Sequence, residues 1–171
     1  NMVGTFASAE HTFIYPKFLE TLPLRELKSG FAEMLKHGLI ADENHWNDLI
    51  SLQSVDADTI AGYIEKSVNI KQKIVEKDFH EENLRKTLNF GHTVGHAIES
   101  IFLAREKPIL HGEAVAAGMI CEAYLSFKEN LIDEEVLEII VLNISKQFPM
   151  LDLTDLSEDE LLSLMQNDKK N

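Results

Sequence analysis

From Leu24 onward the apolar residues Leu24, Leu27, Phe31, Met34, Leu35 and Leu39 recur in one continuous helical register, which predicts an amphipathic helix with a single buried face. A shorter helix is predicted in ENHWNDLISL, after Asp42. A long one is predicted in DADTIAGYIEKSVNIKQKIVEKD, where Ile60, Ile64, Val68, Lys71 and Val75 share a stripe interrupted by lysine. RKTLNFGHTVGHAIESIFL follows, then a connection containing Pro108, then HGEAVAAGMICEAYLSFKENL, which is β-branched only at Val115 and Ile120 in its apolar body. Both read as buried helices. DEEVLEIIVLNISKQF opens with acids suited to a helix N-terminus and stops before Pro149, while Ser157 and Glu160 form a capping-box signature, so the C-terminal third reads as a helical hairpin. Period-two alternation is confined to MVGTF and HTFIY near the start. The pattern predicts an all-α, multi-helical domain with a short irregular or extended N-terminal lead-in over residues 1–22.

Composition narrows the function classes. The 171 residues are 44% hydrophobic and 26% charged, enough for one globular domain with a real core. Acidic residues outnumber basic ones 29 to 16, for a formal charge of −13, so the bulk attraction for phosphate that drives nucleic-acid binding is missing. The single cysteine, Cys121, excludes an internal disulfide framework and reads as a small buried apolar residue, which suits a reducing cytoplasm. No apolar run approaches the roughly 20 residues of a membrane span, and NMVGTFASAEHTF lacks the order of a signal peptide. The ends, NMVGTF and QNDKKN, suit a piece of something longer.

The chemistry gathers in LNFGHTVGHAIES. His92 and His96 are spaced to share a helical face, Gly91 and Gly95 permit close approach to the backbone, and Asn89 and Arg85 continue the series toward the N-terminus. Core histidines satisfied by carbonyls would explain the pair equally well. The helical zinc motif with this spacing needs a glutamate after the first histidine; Thr93 stands there, which disfavours a metallopeptidase. Two other fragments can converge on the pair: LHGEAVAAGM places His111 at a helix start, and SGFAEMLKHG places Glu33 on an otherwise apolar face. A glutamate and two histidines suffice for a catalytic Zn²⁺ with an open position, and such ligands also suit Co²⁺ or Fe²⁺. Lys36 is spaced to pair with Glu33 on the surface or to donate to a substrate hydroxyl, and Lys71 to snorkel or to line a site.

RKTLNFGHTVGHAIE, LHGEAVAAGM and LKSGFAEMLKHGLI together resemble the 3-dehydroquinate synthase family and occur in its order; NMVGTF, FLETLPLRE and MQNDKKN extend the resemblance over almost the whole chain. The resemblance implies the C-terminal helical domain of an enzyme whose Rossmann-like N-terminal domain binds NAD; no glycine-rich phosphate loop of that half is present here. It implies metal ligands Glu33, His92 and His111, with Zn or Co as the ion, and His96 left as a proton-transfer group near the substrate phosphate. It further assigns Arg85 and Lys71 to the substrate carboxylate and Lys36 to a ring hydroxyl. Asn89, His96, Asn1 and one of Lys169 or Lys170 are assigned to the phosphate. The implied reaction converts 3-deoxy-D-arabino-heptulosonate 7-phosphate to 3-dehydroquinate and phosphate in the shikimate pathway of aromatic amino acid biosynthesis. It proceeds by transient oxidation, phosphate elimination, reduction and intramolecular aldol closure, in a cytoplasmic homodimer. Phe79, His80, Asn83 and His37 depart from the family pattern, and Asn83 is expected to supply a left-handed turn where glycine is common.

Two rival readings remain. Another sugar-phosphate cyclase or a metal-dependent enzyme of the glycerol dehydrogenase type would share the HG ligand motif, although Arg85 and Asn89 favour an anionic substrate. A metal-stabilised helical interaction module without catalysis would keep the ligands alone.

Overall fold

The computed structural model describes residues 9–166. Asn1, Lys169 and Lys170, together with the MVGTF alternation, lie outside the described residues. HTFIY forms no strand, and the described residues fold into helices joined by short turns. The lead-in closes with a 3₁₀ turn, Pro16–Thr21, which packs on the long helix Ala57–Lys77 and leaves Phe13 92% and Phe18 78% exposed.

Helix α1 (Leu24–Ala41) buries Leu27, Phe31, Met34 and Leu35 as the period requires, and it ends where Asp42 turns extended. The Asp42 carboxylate then accepts the His45 N–H at 2.8 Å and so starts α2 (Glu43–Ile50), which packs Trp46 over Gly38. A capping box of Asp56 and Thr59 opens α3 (Ala57–Lys77). Its buried face differs from the expected stripe: Ile60, Ser67, Ile70 and Ile74 point inward, while Val68 and Lys71 are exposed. A polar partner explains the change, since Ser67 lies 2.7 Å from His37 Nδ1 of α1, and the face rotates to admit that contact.

Arg85 and Asn89 do not share a helix with the histidines, contrary to the register drawn from sequence. Leu84–Asn89 is a separate 3₁₀ helix, and α4 (His92–Ala104) begins only after Gly91, whose φ of +79° no α-helix can continue. The left-handed turn expected at Asn83 is absent; Asn83 has φ −140°, and Glu81 takes the positive φ instead, at 60°. Three backbone N–H groups, of Glu82, Asn83 and Arg85, converge on Asp78 and fix this loop, which lets a non-glycine residue hold that conformation.

Helix α5 (His111–Lys128) is the central element and packs against α1, α4 and α6 (Glu134–Gln147). Small residues make the α4–α5 contact possible: a Cβ added at Gly118 would stand 1.9 Å from the Gly91 carbonyl oxygen, and one at Gly95 would stand 3.0 Å from that of Ala114. The expected C-terminal hairpin is not the main contact there. α6 docks on α5, and α7 (Glu158–Gln166) docks on α4, where Arg105 reaches the Asp155 carbonyl at 2.9 Å and Glu160 at 3.4 Å. Cys121 is half-buried, and burial pushes its thiol up. No helix among the described residues is long and apolar enough to cross a membrane.

Candidate metal centre

Glu33 projects from α1 beside Lys36, whose ammonium donates to Glu33 Oε2 at 2.5 Å. The pair is not the surface ion pair that its spacing would ordinarily form, because Lys36 is only 3% exposed. Oε1 of the same carboxylate is buried with no hydrogen-bond partner. His92 Nε2 and His111 Nε2 face it at 3.3 and 3.6 Å. Burial pushes the Glu33 carboxyl up, yet the approach of His111 and His92 and the charge of Lys36 outweigh it, holding the group well below the ordinary carboxylate range.

Both imidazoles are the first residues of their helices, and both are oriented through Nδ1. His92 Nδ1 lies 3.3 Å from the Phe90 carbonyl oxygen, and His111 Nδ1 lies 3.1 Å from Glu99 Oε2. With the Nδ1 protons directed at those acceptors, each neutral ring turns an Nε2 lone pair toward Glu33 Oε1. Three acceptors facing one another repel unless a proton, which Glu33 favours on His111, or a metal cation stands among them. Two imidazole nitrogens and a carboxylate oxygen are a fitting donor set for a divalent transition metal. His96 belongs to the same cluster, since one nitrogen from each of His92, His96 and His111 lies within 4.8 Å of the others. The His92–His96, His92–His111 and His96–His111 ring centroids are 5.2, 5.2 and 5.7 Å apart. Glu33 raises the His111 imidazole above its ordinary value against the opposing effect of burial, and Glu99 adds to the rise.

The helix starts that present these histidines are tied down by carboxylates, one from another helix and one from the first turn of the helix itself. Glu122 of α5 accepts the Gly91 N–H at 2.8 Å and the Val94 N–H at 3.5 Å; burial pushes its carboxyl up, while these donors and nearby His92 oppose the rise. At the start of α5, Glu113 accepts the Leu110 N–H at 2.9 Å and two bonds from Arg25 at 2.6 and 2.7 Å. Arg25 lowers the Glu113 carboxyl below its ordinary value against burial. Ser29 Oγ accepts the Gly112 N–H at 2.9 Å, and a Cβ at Gly112 would stand 2.1 Å from the Ser29 carbonyl oxygen.

Arg85 and Asn89 meet around a third carboxylate. Asn89 Nδ2 donates to Glu81 Oε1 at 2.9 Å, Arg85 Nε stands 3.9 Å from Glu81 Oε2, and Arg85 Nη1 donates to the Phe79 carbonyl at 2.8 Å. Lys71 stands exposed on α3, one turn beyond Ser67. The structure therefore brings Glu33, Lys36, His92, His96 and His111 together and groups Arg85 with Asn89.

A family profile described as 3-dehydroquinate synthase C-terminal matches residues 30–171. The chain belongs to that family. Among curated proteins it is similar to 3-dehydroquinate synthase of Parabacteroides distasonis, 41% identical over 173 residues covering 100% of this chain and 49% of that protein. It is also similar to the bifunctional 3-dehydroquinate synthase/phosphatase of Fusobacterium nucleatum, 38% identical over 100% of this chain and 26% of that protein. The chain thus spans about half or less of the curated relatives it matches. Its fold is shared with 2-deoxy-scyllo-inosose synthase solved with carbaglucose-6-phosphate, NAD⁺ and Co²⁺, at TM-score 0.72 and 24% identity over 99% of this chain and 50% of that one. A 2-epi-5-epi-valiolone synthase from Streptomyces hygroscopicus with NAD⁺ and Zn²⁺ bound gives TM-score 0.73 and 24% identity, over 97% of this chain and 47% of that one.

For this member of the 3-dehydroquinate synthase C-terminal family, reading the sequence missed Glu81, Glu99, Glu113 and Glu122. Three of these had local signals: Glu99 extends the His92, His96 spacing by one further helical turn, Glu113 stands at the third position of α5 and bonds back to Leu110, and Glu81 is spaced i,i+4 from Arg85. Glu122 reaches Gly91 across 31 residues of sequence and Arg25 reaches Glu113 across 88, distances that no periodicity reports.

Proposed function

We propose that this chain is the C-terminal domain of a 3-dehydroquinate synthase. The whole enzyme would convert 3-deoxy-D-arabino-heptulosonate 7-phosphate to 3-dehydroquinate and phosphate as a carbon–oxygen lyase of the shikimate pathway. In this reading an N-terminal domain outside residues 1–171 holds NAD⁺, the exposed lead-in joins the two halves, and the intact protein is a cytoplasmic homodimer. The observation that carries the reading is the buried, unpartnered Glu33 Oε1 facing two imidazole Nε2 atoms. Family membership and the similarity to 3-dehydroquinate synthases over the full chain support it.

Glu33, His92 and His111 would hold a divalent metal, Zn or Co. The ion would supply Lewis-acid polarisation of substrate oxygens, and NAD⁺ reversible hydride acceptance. This chain's own residues do the positioning. Lys36, held by Glu33, would donate to a ring hydroxyl. The Arg85 guanidinium, with Lys71, would take the substrate carboxylate; a fork of five donors can bind it while still engaging Phe79. Glu81 screens that cation until an anion arrives, and Asn89 must exchange Glu81 for a phosphate oxygen. His96, half-buried beside both ligand imidazoles, would contact the phosphate and move a proton at a ring nitrogen. Asn1 and one of Lys169 or Lys170 would complete the phosphate site.

The deciding measurement is phosphate release from the heptulosonate phosphate by the intact protein with catalytic NAD⁺ and Zn²⁺ or Co²⁺. Turnover without net NADH is expected, abolished by chelation and by Glu33→Gln. Steady accumulation of NADH with glycerol would overturn the reading.

A further inference from the structure

The peptide linking Phe90 to Gly91 has both of its polar ends engaged. Its carbonyl oxygen faces His92 Nδ1 at 3.3 Å, and its N–H is donated to the Glu122 carboxylate at 2.8 Å. Because a peptide unit is planar and rigid, holding one end orients the other. The left-handed Gly91 makes this geometry available, and the site admits no other residue: a Cβ there would stand 2.6 Å from Met119 Cγ and 2.8 Å from the Val115 carbonyl oxygen. Glu122 is itself fixed by a second donor, the Val94 N–H at 3.5 Å, in the first turn of α4.

We propose that Glu122 is a positioning residue for the metal ligand His92, acting through the Phe90–Gly91 peptide. The carboxylate holds the peptide plane, the carbonyl holds the Nδ1 proton, and the ring presents Nε2 toward Glu33 Oε1 at 3.3 Å. The inference rests on reading Glu33, His92 and His111 as the metal site. A negative charge on the N–H side polarises the peptide and makes its oxygen a stronger acceptor, because hydrogen bonds in series reinforce one another. A stronger acceptor at Nδ1 makes Nε2 a better donor to a cation, the part a carboxylate plays when it touches a ligand histidine directly. His111 has that direct contact, with Glu99 at 3.1 Å. His92 has its carboxylate one peptide removed.

The test uses the intact protein and reads Zn²⁺ affinity by competition with a chromophoric chelator, alongside melting of the metal-free form. Glu122→Gln keeps an acceptor for the Gly91 N–H and loses the charge, so the metal-free variant should melt within about 3 °C of wild type. Its Zn²⁺ affinity should fall about tenfold, as for other outer partners of a ligand. Glu122→Ala should lose both. If Glu122→Gln binds Zn²⁺ within about twofold of wild type while Glu33→Gln does not, the relay is overturned and the metal site stands. If Glu33→Gln also binds like wild type, the metal reading falls and takes the relay with it. Should Glu122→Gln melt early, Zn²⁺ titration of the isotope-labelled wild-type protein decides. The Gly91 amide proton and the Glu122 carboxyl carbon must shift as metal loads, and signals that stay fixed overturn the proposal.

Discussion

A proposed metal ligand and the neighbouring His96 have different expected duties, and variants at Glu33 and His96 should separate. Glu33→Gln removes a charged ligand whose Oε1 both Nε2 atoms face, and should weaken Zn²⁺ by more than the roughly 10–100-fold that outer partners contribute. His96→Gln should leave Zn²⁺ binding near wild type by isothermal titration while phosphate release falls about 10²–10⁴-fold, the usual worth of a proton-transfer group. Equal loss of metal in both variants would make His96 a ligand. A third histidine gives a pH prediction. His37 is buried against Ser67, and burial first, then the nearby Lys36 and Lys71 charges, lower its pKa to about 4, with Glu33 opposing and His45 adding slightly. The unfolded chain takes up that proton near the ordinary value of about 6.5. Stability should therefore be full at neutral pH, decline as pH falls below about 6.5, and level off below about 4, losing at most about 3 kcal/mol. Chemical unfolding of wild type and His37→Gln at pH 7 and pH 4.5 checks this: the variant should lose less on acidification.

At the scale of elements, the glycines divide into contact points and bystanders. Gly118→Ala would place a methyl group 1.9 Å from the Gly91 carbonyl oxygen and force α4 away from α5. A loss of several kcal/mol or failure to fold is expected, beyond the usual cost of overpacking. Gly62 in α3 has open space around its would-be Cβ. Gly62→Ala should raise unfolding stability by about 0.5–1 kcal/mol through helix propensity alone, measured by denaturant melts. The helices themselves were legible in sequence because apolar period and capping residues are local: Phe31 and Leu35 are buried where expected, and Asp56 with Thr59 opens α3. The break before His92 was not legible, since a glycine inside a helical pattern is silent about the sign of its φ. Nor was the inward face of α3, which a hydrogen bond from another helix decides. Within the site, the His92–His96 spacing was visible, and Glu33 and His111 were candidates from their own fragments that the family resemblance joined into one ligand set; Glu122, which holds the start of α4, was hidden in a long-range contact.

For the whole molecule, a formal charge of −13 is compatible with the anionic substrate proposed for Lys36, Lys71 and Arg85, because the elements that carry them, α1, α3 and the adjoining 3₁₀ helix, pack on one another. The domain reading predicts that residues 1–171 alone release no phosphate from the heptulosonate phosphate with NAD⁺, and that adding the N-terminal half restores release. Metal should stabilise the intact protein by mass action, about 2.7 kcal/mol at a free concentration 100 times its dissociation constant. Calorimetry should show that gain reversed by a chelator. His92 and His111 each begin a helix, and those helices touch backbone to backbone at Gly91, Gly95 and Gly118. The bite between the two rings is consequently set by main chain and not by side-chain length. Neutral drift can repack α6 or α7 and change how firmly the protein folds, while the spacing an ion would meet stays insulated from that history.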